Sequence, residues 1–308
     1  MPRAVNYTAF GGPESLRVGE VESMPMGPDT VQIDVAGAGI NPVDYKVGYG
    51  YLAGAIETFF PVVPGWDVAG VVTAVGPAVT EFVPGDRVFG YARMDVIKHG
   101  TAAESVVLPV RVLARAPESI DLITAAAVPL VGLTAYQLVS RMAIQPGETV
   151  LVHNASGGVG QFAAQLARLA GARVIGSSSP RNHEHLRGLG VEAVSYSESL
   201  VEQVRALAPD GVDAVLDLVG GGALDASDAL LAPGGRVGSI ADGEGALARG
   251  GVYVFVRPSP ADLTELARLI DAGQLAVDLA ATYSFDQASE AYQVLEQGHV
   301  RGKIVLTP

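Results

Sequence analysis

The sequence predicts an α/β protein in which a doubly wound parallel sheet follows a first part built of short strands. Three observations predict it. Up to about residue 120, strand-like runs recur between Gly, Pro and Asp turn signals. From residue 149 onward strands and helices alternate, as a parallel sheet with right-handed crossovers requires. A glycine-rich turn joins the first of those strands to its helix.

Composition bounds the answer. The 308 residues suffice for about two domains at roughly 100–200 residues each. Hydrophobic residues make up 49% and charged residues 17%, enough apolar material for a core and too much for a disordered chain. The apolar excess lies in short Val/Ala/Leu runs, as buried parallel strands need. No run approaches the roughly 18 apolar residues of a membrane-spanning helix. Met1 to Phe10 lacks the apolar core of a secretion signal, so a cytoplasmic protein with no membrane partner is expected. There is no cysteine, which excludes a disulfide scaffold, a thiolate zinc site, an iron–sulfur cluster and a cysteine nucleophile. A net charge of −13 repels phosphodiester backbones, so no nucleic-acid partner is expected.

In order along the chain, residues 31–35, 68–75, 87–91 and 104–108 read as strands, separated by turns such as Gly27-Pro28 and Pro84-Gly85-Asp86. That spacing suits a small barrel. Residues 124–141 are apolar at helical spacing. Strands then fall at 149–153, 173–176, 212–218 and 236–240, with helices at 158–170, 180–189 and 224–231 between them. The β-branched and aromatic run 252–256 reads as a sheet edge, 260–272 and 285–297 as helices, and 303–307 as a closing strand. Ser284, with Gln287 three residues on, caps the last helix.

The turn carries most of the functional information. It reads Asn154-Ala155-Ser156-Gly157-Gly158-Val159-Gly160, a variant of G-x-G-x-x-G with Ala155 first. Small residues let backbone N–H groups approach a pyrophosphate, and the helix N-terminus adds partial positive charge. NAD sites place an acid about 20 residues on, at the end of the second strand, to bind the ribose 2′-OH. Here that strand ends in Ser177, Ser178, Ser179 and Arg181, with no acid before Glu184. Hydroxyls and a guanidinium suit a 2′-phosphate, so NADP(H) is the expected cofactor. A Ser-rich loop that merely caps the next helix is compatible with that reading. Val219 and Gly220, and Ile240 on the next strand, also lie at strand ends, where such sheets bind nucleotides. Asp217, in an apolar strand, is expected to cap a neighbouring turn.

The turn resembles the medium-chain dehydrogenase/reductase superfamily, together with Val131-Gly132-Leu133-Thr134-Ala135-Tyr136 and Pro61-Val62-Val63-Pro64-Gly65-Trp66-Asp67-Val68-Ala69-Gly70. Gly39-Ile40-Asn41-Pro42-Val43-Asp44-Tyr45-Lys46 and Arg301-Gly302-Lys303-Ile304-Val305 fit its zinc-independent quinone oxidoreductase and enone (2-alkenal) reductase branch. The resemblance implies a GroES-like β-barrel domain at 1–122, a Rossmann NADP-binding domain at 123–262, and a segment at 263–308 that returns to the first domain. It implies a cofactor in the cleft between them, met by Asn41, Thr134, Phe255 and Lys303 as well as the glycine turn. It also implies no zinc. Zinc-dependent relatives carry Gly-His-Glu where this chain has Gly65-Trp66-Asp67, and cysteines that it lacks. The five histidines are scattered, and His183 and His185 do not share a helix face.

Without a Lewis acid, hydride transfer suits an acceptor already polarised, a small hydrophobic quinone or the β-carbon of an enone. Asn41 is the candidate to orient the nicotinamide ribose or substrate carbonyl, and Tyr45 or Tyr51 to donate to the developing oxyanion. For Tyr51, packing in a mobile Gly-Tyr-Gly-Tyr lid is an equal alternative. Other readings stay open at this point. Ser156 nearly completes the G-x-S-x-G elbow of an α/β-hydrolase. A non-catalytic NADPH-binding sensor and a reductase of biosynthetic enoyl thioesters fit the same motifs. A homodimer through the 252–256 edge is expected, because a bare apolar edge aggregates unless paired.

Overall fold

Val, Ile and Ala runs between Gly and Pro punctuation become strands, and the one at residues 30–40 runs past its apolar kernel as ladder pairing continues into small residues. The computed structural model describes all 308 residues, Met1–Pro308. Strands β1 (Arg3–Asn6), β2 (Arg17–Glu20) and β3 (Thr30–Ile40) precede helix α1 (Pro42–Gly48). Then come β4 (Glu57–Val63), β5 (Asp67–Val75), β6 (Arg87–Tyr91), β7 (Val96–His99), β8 (Ser105–Pro109) and β9 (Leu113–Arg115). Helices α2 (Leu122–Ala125) and α3 (Pro129–Met142) lead to β10 (Thr149–Val152), α4 (Gly158–Leu169), β11 (Arg173–Ser178), α5 (His183–Gly188) and β12 (Glu192–Ser195). The alternation continues through α6 (Leu200–Leu207), β13 (Val212–Asp217), α7 (Gly222–Ser227), β14 (Leu231–Ser239), α8 (Gly243–Ala248) and β15 (Val252–Tyr253). Helix α9 (Pro260–Asp271), β16 (Leu279–Ser284), α10 (Ala288–Glu296) and β17 (Lys303–Thr307) close the chain. No helix is long and apolar enough to cross a membrane.

The chain divides into two units, Met1–Leu133 with Arg257–Pro308, and Thr134–Val256. The first holds a seven-stranded sheet in the order β16-β17-β3-β5-β6-β9, with β8 also on β3. Its closing strand comes from the chain's end, as Ile304–Leu306 of β17 pair antiparallel with residues 38–40 of β3. Glycines permit the crossings, since a Cβ on Gly70 would lie 2.1 Å from the Asp34 carbonyl oxygen.

The second unit holds a six-stranded, all-parallel sheet in the order β12-β11-β10-β13-β14-β15. The first strand of the unit, β10, lies in the middle and the order reverses beside it, which opens a crevice at the carboxyl ends of β10 and β13. Both faces are covered, so Leu151, Ile175, Val215 and Val237 are buried with Leu200, Val204 and Leu224 from the helices. The α/β class with a Rossmann sheet and a separate β-rich unit is therefore observed.

Three local expectations change, and helix α1 is new. In it Asn41 forms a capping box with Asp44 and Pro42 occupies the first turn. The 252–256 strand shrinks to Val252–Tyr253, after which the chain turns away with Val254 buried and Phe255 57% exposed. The helix at 124–141 splits, since Asp121 caps the short α2 and α3 begins afresh at Pro129. Helix α7 stops at Ser227, and β14 already begins at Leu231. The other local expectations hold, including the Ser284–Gln287 capping box.

Leu224→Ala tests the core of the second unit. Leu224 is fully buried in that cluster, and its truncation leaves a cavity that costs about 2–5 kcal/mol. Urea unfolding should show a lower midpoint with an unchanged slope.

Candidate nucleotide site and a buried charged cluster

The glycine turn is shaped by contacts that only small residues allow. Asn154 sits at φ 54°, in the left-handed region that Asn tolerates better than most side chains. Gly157 caps α4 in extended conformation, and no side chain covers the helix end. The first N–H groups of α4 therefore keep their hydrogen-bonding capacity for a ligand. Gly160 packs the helix onto the turn, and a Cβ there would lie 2.1 Å from the Asn154 carbonyl oxygen. A Cβ on Gly176 of β11 would lie 2.6 Å from Ala155, which is itself fully buried. Gly158 and Val159 complete the first turn, half-buried. These residues fit a pyrophosphate, with open backbone donors, a helix N-terminus and no side chain in the way.

Buried polar side chains hold the neighbouring strand ends. Ser177 Oγ accepts from the Asn154 amide at 3.3 Å and lies 3.4 Å from His153 Nδ1. His153 Nε2 lies 3.2 Å from Ser227 Oγ. Asp217 does cap a turn, as its Oδ1 accepts from the amides of Val219 and Gly220. Its Oδ2 accepts from Ser239 Oγ at 2.6 Å. Ser239 Oγ in turn accepts from the amides of Ala241 and Asp242, flanking the half-buried Ile240. Gly220 and Gly221 adopt φ 81° and 54°, leaving Val219 53% exposed.

The structure divides the residues expected at the 2′-phosphate. Ser177 and Ser178 are buried, and the Ser178 hydroxyl donates to the Ser179 carbonyl. Arg181 is exposed in the 3-10 turn Pro180–Asn182 at the end of β11 and makes no ion pair. Ser156 Oγ accepts from Asn182 Nδ2 at 2.9 Å. Ser156 Oγ has Asn182 as its partner and no imidazole hydrogen-bonded to it, and His153 is held by other serines, so the nucleophile–base pair of a hydrolase is not formed.

The first unit contains a different polar assembly. Asn41 is fully buried at the end of β3. Its Nδ2 donates to Asp67 Oδ2 at 2.8 Å, and its Oδ1 accepts from Lys303 Nζ at 2.6 Å. Lys303 also donates to the Ile40 carbonyl. Asp67 Oδ1 accepts from the Leu130 amide at 2.7 Å, and Asp44 Oδ2 from the Asn41 amide at 2.7 Å. Two acids and one ammonium thus share one enclosed space. Burial pushes the Asp44 carboxyl up to about 7, although the Asn41 amide opposes it. Burial likewise raises Asp67 to about 6 against the pull of Lys303, and lowers Lys303 itself. Asn41 and Lys303, expected to meet the cofactor, are hydrogen-bonded to each other within this cluster. Trp66 is buried edge-on against Tyr91, with ring centroids 6.1 Å apart.

Tyr45 stands half-buried on α1, its phenol raised by burial and then by Glu296. Tyr51 is 73% exposed in the following turn, its ring stacked on Tyr49 with centroids 5.7 Å apart. Thr134 is buried in α3. Sequence reasoning missed the roles of Asp44, Asp67, His153 and Ser227. The Asn41-Pro42-Val43-Asp44 spacing is a capping-box signal that was available. His153 and Ser227 lie 74 positions apart and leave no local signature.

The carboxyls dictate a pH effect. Their folded values, about 7 and about 6, lie above the ordinary 3.8. Between those values the folded chain holds protons that the unfolded chain has released, so this contribution to stability falls as pH rises from about 4 to 7. Asp44→Asn stays neutral throughout. Relative to the unsubstituted chain, its urea midpoint should improve from pH 4 to pH 7, and a constant gap would refute the assignment.

Residues 27–118 match the alcohol dehydrogenase GroES-like domain, and residues 189–306 match the zinc-binding dehydrogenase domain. The chain is 31% identical over 312 residues to the NADPH-dependent alkenal/one oxidoreductase of Arabidopsis thaliana, covering 98% of this chain and 78% of that one. The solved quinone oxidoreductase of Coxiella burnetii superposes with a TM-score of 0.87 at 29% identity, over 100% of this chain and 99% of that one. The CurK enoyl reductase does so with a TM-score of 0.87 at 27% identity, over 99% of both. The strand order, the glycine turn and the whole-length likeness agree, and the chain belongs to the medium-chain dehydrogenase/reductase superfamily, in the branch of its quinone and alkenal oxidoreductases.

Proposed function

We propose that the protein is a zinc-independent, NADPH-dependent reductase that delivers hydride to a quinone or to the β-carbon of an α,β-unsaturated carbonyl. The observation that carries the cofactor choice is Arg181, exposed and unpaired at the end of β11 where an NAD site would place an acid. The likeness to alkenal and quinone oxidoreductases supports the acceptor class.

When bound, the nicotinamide supplies the hydride. The chain's own residues do the rest. The open amides of Gly158, Val159 and Gly160 would hold the pyrophosphate, and Arg181 would bind the 2′-phosphate. Asp217 and Ser239 keep the Val219–Gly220 and Ile240 backbones in place. Tyr45 stays protonated at neutral pH, since burial raises its phenol, and is the donor we assign to the substrate oxygen. Asn41 and Lys303 act as frame, because their polar atoms meet each other and Asp67. The metal-free reading is supported by the chain's lack of cysteine and by Trp66, packed on Tyr91 where zinc relatives carry His. The outer edge of β15 has no strand partner in the sheet order, and a homodimer through that edge is the assembly we assign.

A second reading, reduction of an enoyl thioester, is favoured by the likeness to the CurK enoyl reductase. It uses the same hydride chemistry on a different carrier. A screen of NADPH oxidation over quinones, alkenals, cyclic enones and enoyl thioesters decides between them. Turnover on quinones or enones is expected, turnover on thioesters alone selects the second reading, and none would leave an NADPH-binding protein. Arg181→Ala should weaken NADPH binding about tenfold or more and leave NADH unchanged, as loss of a charge-assisted bond implies. Equal effects on both would remove the 2′-phosphate assignment.

A further inference from the structure

One direction of the hydrogen bonds around His153 gives every hydroxyl proton an acceptor. In it Ser227 Oγ donates to the Ala223 carbonyl at 3.1 Å and accepts from His153 Nε2. Nε2 then carries the ring proton, and Nδ1 is a bare acceptor. Ser177 Oγ, which already accepts the Asn154 amide, donates to that Nδ1. A single chain of donors thus runs from the Asn154 amide through Ser177, His153 and Ser227 to the Ala223 carbonyl.

Its two ends matter. Asn154 is the left-handed residue that opens the glycine turn. Ala223 and Ser227 belong to α7, the helix that follows the Val219–Gly221 backbone. His153 is 1% exposed and presents nothing to a ligand. We propose that His153 is a positioning residue for the nucleotide: as the neutral Nε2–H tautomer, it locks the Asn154 turn to α7 and so presets the two backbone segments that receive the cofactor. The proposal rests on the nucleotide reading given above.

Protonation would place a second donor at Nδ1, opposite a Ser177 hydroxyl already aimed at it, and break the chain at its centre. Burial lowers the imidazole below its ordinary 6.5 and keeps it neutral at physiological pH. The charged group that faces it is Asp217 on β13, which opposes that shift. Its neighbours on β11 and α7 are serine hydroxyls.

Calorimetric titration of the full chain with NADP⁺ tests this. His153→Leu should raise Kd at least tenfold, and His153→Gln, which keeps a polar group in reach of Ser227, should recover part of the loss. Ser177→Ala and Ser227→Ala should each weaken binding, and the double variant no more than the worse single, because the chain acts as one unit. Below pH 6.5 the unsubstituted chain should lose affinity more steeply than His153→Gln, the ligand's own titration being common to both. Nitrogen-15 NMR should show His153 protonated at Nε2. A chain that binds NADP⁺ but whose Ser227→Ala and His153→Leu forms bind within twofold of it, or whose pH slope coincides with that of His153→Gln, overturns the proposal alone. An Nδ1–H tautomer overturns it without any ligand. No NADP⁺ binding by the unsubstituted chain overturns the nucleotide reading and this proposal together.

Discussion

Four parallel strands of the second unit, β10, β11, β13 and β14, end side by side with their last polar side chains buried. A buried donor or acceptor without a partner costs as much as a lost hydrogen bond. The chain meets this constraint with His153, Ser177, Asp217, Ser227 and Ser239, all nearly inaccessible. Their bonds run to the backbone beyond the strands, at Asn154, Val219, Gly220, Ala241 and Asp242. Satisfying the strand ends and shaping the nucleotide cradle are therefore one act. The glycines have the complementary task of leaving backbone donors uncovered.

The first unit meets a related problem with full charges. Lys303 of the last strand, Asp67 at the start of β5 and Asn41 at the end of β3 close on one another. Burying ions is costly, and the return lies in specificity more than in net stability. The cluster ties β17 to β3 and α3 to β5 in one register. With Asp44 added, the enclosed groups are two acids and one base, and burial is the main reason that the acids titrate so high. The same cluster anchors α1, whose next turn carries Tyr45.

Periodicity made the architecture legible. Parallel strands buried on both faces must be short apolar runs, and a glycine turn between strand and helix has few other uses. The absence of cysteine pointed toward chemistry on polarised acceptors only when set beside Trp66, where the zinc-dependent members of the family resembled carry His. Local chemistry was harder to read. The Asn41–Asp44 capping box is local and its signal was present, but turns and helix starts use the same residues. The 252–256 run is strongly β-forming, but only two residues pair, because β14 ends at Ser239 and offers no further ladder.

Chain order, the αβ alternation, the cofactor turn and the lack of an acid after β11 are local properties, carried by neighbouring residues, and could be read without coordinates. The assignment of partners could not. Asn41 looked like a ligand contact and became part of a buried frame, and His153 looked like a strand residue and became the centre of a hydrogen-bonded chain. Their partners lie 262 and 74 positions away. A polar side chain's role is set by what reaches it after the chain has folded. Only the tertiary structure brings Lys303 to Asn41 or Ser227 to His153, and burial then turns each meeting into an obligatory bond.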